Sequence, residues 1–194
     1  MLYNIAKYGI KCVFHICFRL SVKGKHNVPK KGGFILAVNH KSNLDPPMAA
    51  ACCPRKLRFM AKEELFRNKL FGWFIKSLGA FPISRGRGDI GAIKGAFAIL
   101  KGGDVMLIFP QGHRMQEGER GNAQNGVAMI AHKMEVPVVP LCISGEYKFL
   151  GKMTATFGEP IEFTEFYGQK LDGQKLQELA EGVLDKILSY EVKK

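Results

Sequence analysis

A chain of 194 residues, 46% hydrophobic and 24% charged, fits one folded domain and is too apolar for wholesale disorder. Its 29 Lys and Arg against 17 Asp and Glu leave a net charge of +12 and a pI of about 9.6, which favours an anionic partner: nucleic acid, a phosphate-bearing substrate or an anionic membrane surface. Five cysteines, an odd number without CxxC spacing, argue against a disulfide framework and a zinc site and read as small buried thiols of a reducing compartment.

The charge is uneven. No acidic residue precedes Asp45, whereas Lys7, Lys11, Arg19, Lys23, Lys25, Lys30, Lys31 and Lys41 all do. On a helix, Asn4, Lys7, Lys11, His15 and Arg19 form one narrow polar stripe, and Leu2, Tyr3, Ile5, Tyr8, Ile10, Val13, Phe14, Ile16, Phe18 and Leu20 fill the rest. No apolar run reaches the ~18 residues of a membrane span. Lys11 and the lack of a small-residue cleavage site argue against a signal peptide. Two readings stand for this segment: a helix in a membrane interface, or a helix capping the core. The cationic stripe leads us to expect the first, with residues 1–22 as a docking helix on the cytoplasmic face of the membrane and 23–194 as the folded domain.

The elements that follow alternate. Strands are expected at Phe34–Val38, Leu57–Met60, Ala80–Ile83, Val105–Phe109, Val136–Cys142 and Thr154–Phe157, the fifth at an edge or bulged because of Pro137 and Pro140. Helices are expected at Pro46–Cys53, Glu63–Leu78, Ile90–Lys101, Asn122–Met134 and Leu171–Tyr190. Such alternation predicts an α/β domain with a largely parallel central sheet.

Three segments carry chemistry. In Asn39-His40-Lys41-Ser42-Asn43-Leu44-Asp45, a histidine leaves a strand and an aspartate stands five residues on, before Pro46-Pro47. A tight turn brings the carboxylate onto the imidazole, giving either a general base with its orienter or a surface turn with a capping Asp; the strand's carboxyl end favours the former. Gly86 to Gly91 spells G-x-G-x-x-G, but no carboxylate follows at the end of the next strand, so a nicotinamide site is rejected. What remains is Arg85 and Arg87 in a glycine-rich turn before a helix, either phosphate-binding chemistry or a solvated basic loop. Phe109-Pro110-Gln111-Gly112-His113-Arg114, again at a strand end, suits a ligand-facing loop. There is no G-x-S-x-G and no P-loop.

In this order and spacing, the segments resemble those of the bacterial 1-acylglycerol-3-phosphate acyltransferases, within the glycerolipid acyltransferases. The family's N-H-x4-D motif is matched at Asn39, His40 and Asp45, its second motif loosely at Phe81–Arg85, its F-P-E-G-T-R motif at Phe109–Arg114, and its V-P-[IV]-[VI]-P motif at Val136–Pro140. Gln111 stands where the family usually has Glu, and His113 where Thr is usual. The resemblance implies direct acyl transfer by the catalytic pair His40 and Asp45, with no metal or organic cofactor. It implies acceptor contacts at Asn39, Arg85, Arg87, Gln111, Gly112 and Arg114, the arginines on the acceptor's phosphate. The partners it implies are a lysophospholipid acceptor, acyl-CoA or acyl-carrier protein as donor, and an anionic membrane surface. Nucleic acid is not expected, because Trp73 and most phenylalanines sit in apolar runs rather than among arginines.

Overall fold

The computed structural model describes residues 2–77, 79–83, 90–116 and 119–192. Five parallel strands form the body of its sheet: β2 (Phe34–Val38), β3 (Leu57–Lys62), β4 (Ala80–Ile83), β5 (Val105–Ile108) and β6 (Val138–Gly145). β7 (Lys152–Phe157) pairs antiparallel with β6, and β1 (Arg19–Lys23) pairs parallel with β7, giving the order β1-β7-β6-β2-β5-β3-β4. The largely parallel α/β domain expected from sequence is therefore what forms.

β2 explains the layering. Every one of its side chains is buried, because both faces of the sheet are covered. Phe34, Leu36 and Val38 join a core with α1 (Leu2–Cys17) and α2 (Asp45–Cys52), while Ile35 and Ala37 join a second core with α4 (Ile90–Lys101), α5 (Gly126–Met134) and α6 (Gly173–Ser189). Met48 to Ala51 of α2 are almost fully buried, and the small side chains of Ala49 to Ala51 let that helix lie close on the sheet. Pro46 and Pro47 open it, where fixed φ angles help and missing N–H groups leave no gap.

Several boundaries differ from the sequence pattern for identifiable reasons. The helix expected over 63–78 is a 3-10 turn, Glu63–Phe66, followed by α3 (Lys69–Ser77). Asn68 accepts a hydrogen bond from Phe71 N, and Gly72 packs so close to the Phe66 backbone that a Cβ would lie 2.9 Å from it. Residues 122–125 fall outside α5 because Ala123 N bonds to Glu181 and Gln124 N bonds to Pro110 O. β6 is neither an edge strand nor bulged. Its Pro140 carbonyl accepts from Gly158 N, beyond the last β6–β7 pair Leu141↔Phe157, so its missing N–H faces the place where that ladder has ended.

The N-terminal helix ends at Cys17, and Arg19–Lys23 is an edge strand rather than the end of a helix. One face of α1, carrying Tyr3, Ala6, Ile10, Phe14 and Cys17, packs on the core, and Lys7 Nζ donates to Cys53 O. The opposite face, with Ile5, Tyr8, Val13 and Ile16, is exposed. Of the cysteines, Cys52, Cys53 and Cys142 are buried as expected, while Cys12 is exposed. Phe14→Ala should cost about 3–5 kcal/mol of unfolding free energy. Ile16→Ser, on the opposite face, should change it by no more than about 0.5 kcal/mol, as chemical denaturation will show.

Candidate active site

The adjacent strands β5, β2 and β6 end side by side, and the loops leaving their carboxyl ends converge. His40 follows β2. Its Nδ1 lies 2.9 Å from Asp45 Oδ2, and its ring stacks on Phe109 at 4.0 Å between centroids. The imidazole is thus fixed both in plane and at one edge. With Nδ1 protonated toward the carboxylate, Nε2 carries the free lone pair, and it makes no hydrogen bond among the described residues. The His40 side chain is 17% exposed and that of Asp45 only 1%.

Asp45 is held from several sides. Oδ2 also accepts from Lys41 N and Ser42 N, each at 2.6 Å, while Asp45 N donates back to Ser42 O. Oδ1 accepts from the Tyr147 hydroxyl at 2.7 Å. The carboxylate also stands in the first turn of α2, where the helix dipole favours an anion.

The other residues singled out by sequence take different places. Asn39 is 1% exposed, and its amide is engaged with β6: Nδ2 donates to Ile143 O at 2.9 Å and Oδ1 accepts from Ile143 N at 2.7 Å. It braces the turn against β6. Gln111, 2% exposed, accepts from His40 N at 2.9 Å and donates to Arg120 O at 2.8 Å. Its amide thus ties the backbone at His40 to that at Arg120. Gly112 adopts φ +74°, and a Cβ there would lie 3.1 Å from the Gln124 side chain, so its role is to turn the loop. Arg114 is exposed and makes no hydrogen bond or ion pair among the described residues. Arg85 and Arg87 lie outside the described residues. Lys41 is paired with Glu191.

Sequence reasoning assigned no role to Tyr147 or to the ring of Phe109. Tyr147 is 102 positions from Asp45, beyond the reach of any local motif. Its one signal is its place just past the carboxyl end of β6. Burial first, then the neighbouring Asp45 charge, pushes its hydroxyl pKa up, so it stays a proton donor.

A strand-end histidine, aimed by a buried aspartate and free at its far nitrogen, has the geometry that general-base chemistry requires of an α/β enzyme. The acyltransferase family model matches residues 19–144, and the chain belongs to that family. The 1-acyl-sn-glycerol-3-phosphate acyltransferase of Bacillus subtilis (strain 168) is 31% identical over 171 residues, covering 85% of each chain. That of Streptococcus pneumoniae (strain ATCC BAA-255 / R6) is 35% identical over 154 residues, covering 76% of this chain and 56% of the relative. The crystal structure of the Thermotoga maritima 1-acyl-sn-glycerophosphate acyltransferase PlsC superposes with a TM-score of 0.72 at 25% identity, covering 99% of this chain and 81% of that one.

Gln111→Glu should destabilise the fold by about 1–3 kcal/mol at neutral pH, since a carboxylate oxygen would face the Arg120 carbonyl in place of the amide donor. Burial and that carbonyl both favour the protonated acid, raising its folded-state pKa above the unfolded value of about 4.3. The deficit should therefore be small below about pH 4 and open as pH rises through the folded-state pKa. Denaturant melts against pH will show it, and turnover should be unchanged or lower.

Proposed function

We infer that this protein transfers a fatty acyl group from a thioester to the free hydroxyl of 1-acylglycerol-3-phosphate, giving phosphatidic acid. The observation that carries the reading is the His40–Asp45 pair at the carboxyl end of β2, in a chain of the acyltransferase family. His40 Nε2 takes the hydroxyl proton as the oxygen attacks the thioester carbonyl. The tetrahedral intermediate collapses, the C–S bond breaks, and the proton passes from the imidazolium to the departing thiolate. Asp45 keeps the proton on Nδ1 in the resting state and stabilises the imidazolium that forms.

Neither a metal nor an organic cofactor is needed, since the thioester is already activated and the base is in place. Burial pushes the thiols of Cys52 and Cys53 up to about 12 and about 11, which makes them poor nucleophiles and favours direct transfer over an acyl-enzyme. Acyl-CoA and acyl-carrier protein both fit as donors. Arg114, with Arg85 and Arg87, supplies the guanidinium forks for the acceptor's phosphate.

The exposed face of α1 supports docking on the cytoplasmic surface of an anionic membrane. α1 touches α3, whose Leu70, Phe71, Trp73 and Phe74 are also exposed, so the two helices offer one apolar surface. Among the described residues no helix is long and apolar enough to cross a membrane, which fits a peripheral attachment. Basic residues near the surface add ~1 kcal/mol each toward an anionic leaflet. Deleting residues 1–20 would not isolate this surface, because it would also remove the buried Tyr3, Phe14, Phe18 and Leu20 from the core.

In an assay of lysolipid acceptors against both donor types, His40→Ala should lower turnover ~10³-fold, about 4 kcal/mol of barrier. The fold should survive, because Asp45 keeps its bonds from Lys41, Ser42 and Tyr147. Arg114→Ala should raise the KM of the acceptor and leave that of the donor. Near-normal turnover by His40→Ala would overturn the mechanism.

Sedimentation with phosphatidylglycerol vesicles tests the docking surface. Wild type should bind, and high salt should weaken the binding without abolishing it. Ile16→Ser combined with Trp73→Ser should release the protein without changing its melting temperature. Unaltered binding by that variant would exclude the α1–α3 surface.

A further inference from the structure

We propose that Tyr147 is a positioning residue for acyl transfer: its hydroxyl holds Oδ1 of Asp45, and through that carboxylate it sets the aim of His40. The proposal rests on the reading of His40 as the base. Among the described residues Asp45 has three donors on Oδ2, from His40, Lys41 and Ser42, whereas Tyr147 is the donor on Oδ1. Bonds to one oxygen leave the carboxylate free to pivot about it. A bond of 2.7 Å on the other oxygen stops the pivot and so fixes the line from Oδ2 to Nδ1. At 1% exposure, Asp45 has no solvent to take the hydroxyl's place.

The tyrosine is itself tightly held. Its ring meets Phe18 edge-on, at 5.6 Å and 79°, and Phe18 packs on Phe14 of α1. The loop that carries it is tied to the end of that helix: Leu150 N donates to Cys17 O at 2.7 Å, and Arg19 N donates to Gly151 O at 2.9 Å. Leu150 accepts a left-handed φ of +58° in this loop, a conformation that persists where surrounding contacts over-determine the backbone. The hydroxyl is therefore delivered to Asp45 by a rigid mount.

The titratable groups facing the Asp45 carboxylate and the Tyr147 hydroxyl are His40 from the β2 turn and Cys52 from α2, the latter held neutral by burial. Loss of the hydroxyl would concentrate the carboxylate's charge toward Nδ1. The change would therefore be felt at the imidazole, through the contact between Oδ2 and Nδ1.

Tyr147→Phe keeps the ring and its contact with Phe18, and it isolates the hydroxyl. We expect kcat to fall roughly ten-fold with the KM of both substrates within about two-fold, because Tyr147 acts on the base rather than on a substrate. The acid limb of the pH profile of kcat/KM should move to higher pH. On an Asp45→Asn background the same change should cost little further activity, since the group it acts through is already altered. Thermal melts establish that each variant is folded. A wild-type rate and pH profile in Tyr147→Phe, or a loss that simply multiplies with that of Asp45→Asn, would overturn the positioning role while His40→Ala still abolished turnover. Turnover retained by His40→Ala would instead overturn the base assignment on which the proposal rests.

Discussion

The Asp45 carboxylate is almost wholly out of water, and an ionised group in that position must be surrounded by donors or not be there. Here the surroundings come from three parts of the chain: the turn that follows β2, the helix that Asp45 opens, and the loop after β6. Each is drawn in by the same charge. The backbone N–H groups of Lys41 and Ser42 curl round it to form the turn, and that curl is what swings His40 Nδ1 into line. Site geometry and local folding are thus one requirement, since the turn that satisfies the anion is the turn that aims the imidazole.

The same logic separates what the sequence disclosed from what it concealed. The strand Phe34–Val38 was legible because a short apolar run follows Gly32-Gly33, and the structure buries that run on both faces. The helix Ile90–Lys101 was legible because its pattern is sustained over 12 residues. His40 and Asp45 were legible because both partners lie in one turn. By contrast β1 was hidden. Its Arg19 fits the polar stripe of the preceding helix, and only the distant β7 makes a strand of Arg19–Lys23. The true start of α5 was hidden by the bonds of Ala123 and Gln124 to Glu181 and Pro110, and the bond from Tyr147 to Asp45 has no trace in local spacing. Local chemistry reads from sequence, whereas contacts between remote elements override propensity without announcing themselves.

Gln111 shows how a departure from a family motif can be read physically. Its amide stands between a donor, His40 N, and an acceptor, Arg120 O, and only a side chain with one group of each kind satisfies both. Arg120 in turn pairs with Glu181 and Asp185 of α6. The amide therefore links the backbone beneath the base to a helix on the far face of the sheet. A carboxylate there would meet the carbonyl with the wrong charge. The Gln is thus matched to the course of the loop through Arg120, and that match does not depend on which acceptor binds.

The N-terminal helix illustrates a related point about amphipathicity. A segment apolar around most of its circumference ordinarily signals burial on all sides. Here the narrow stripe of Asn4, Lys11 and His15, joined by the half-buried Lys7, lies between two apolar faces, of which the protein covers one. The covered face holds Phe14, whose ring meets Phe18, whose ring meets Tyr147, whose hydroxyl meets Asp45. The core helix that the sequence allowed is one side of α1, and the opposite side leaves exposed the kind of apolar face that a docking helix would need. Whatever rests on the outer side is joined through a chain of packed rings to the carboxylate that holds His40.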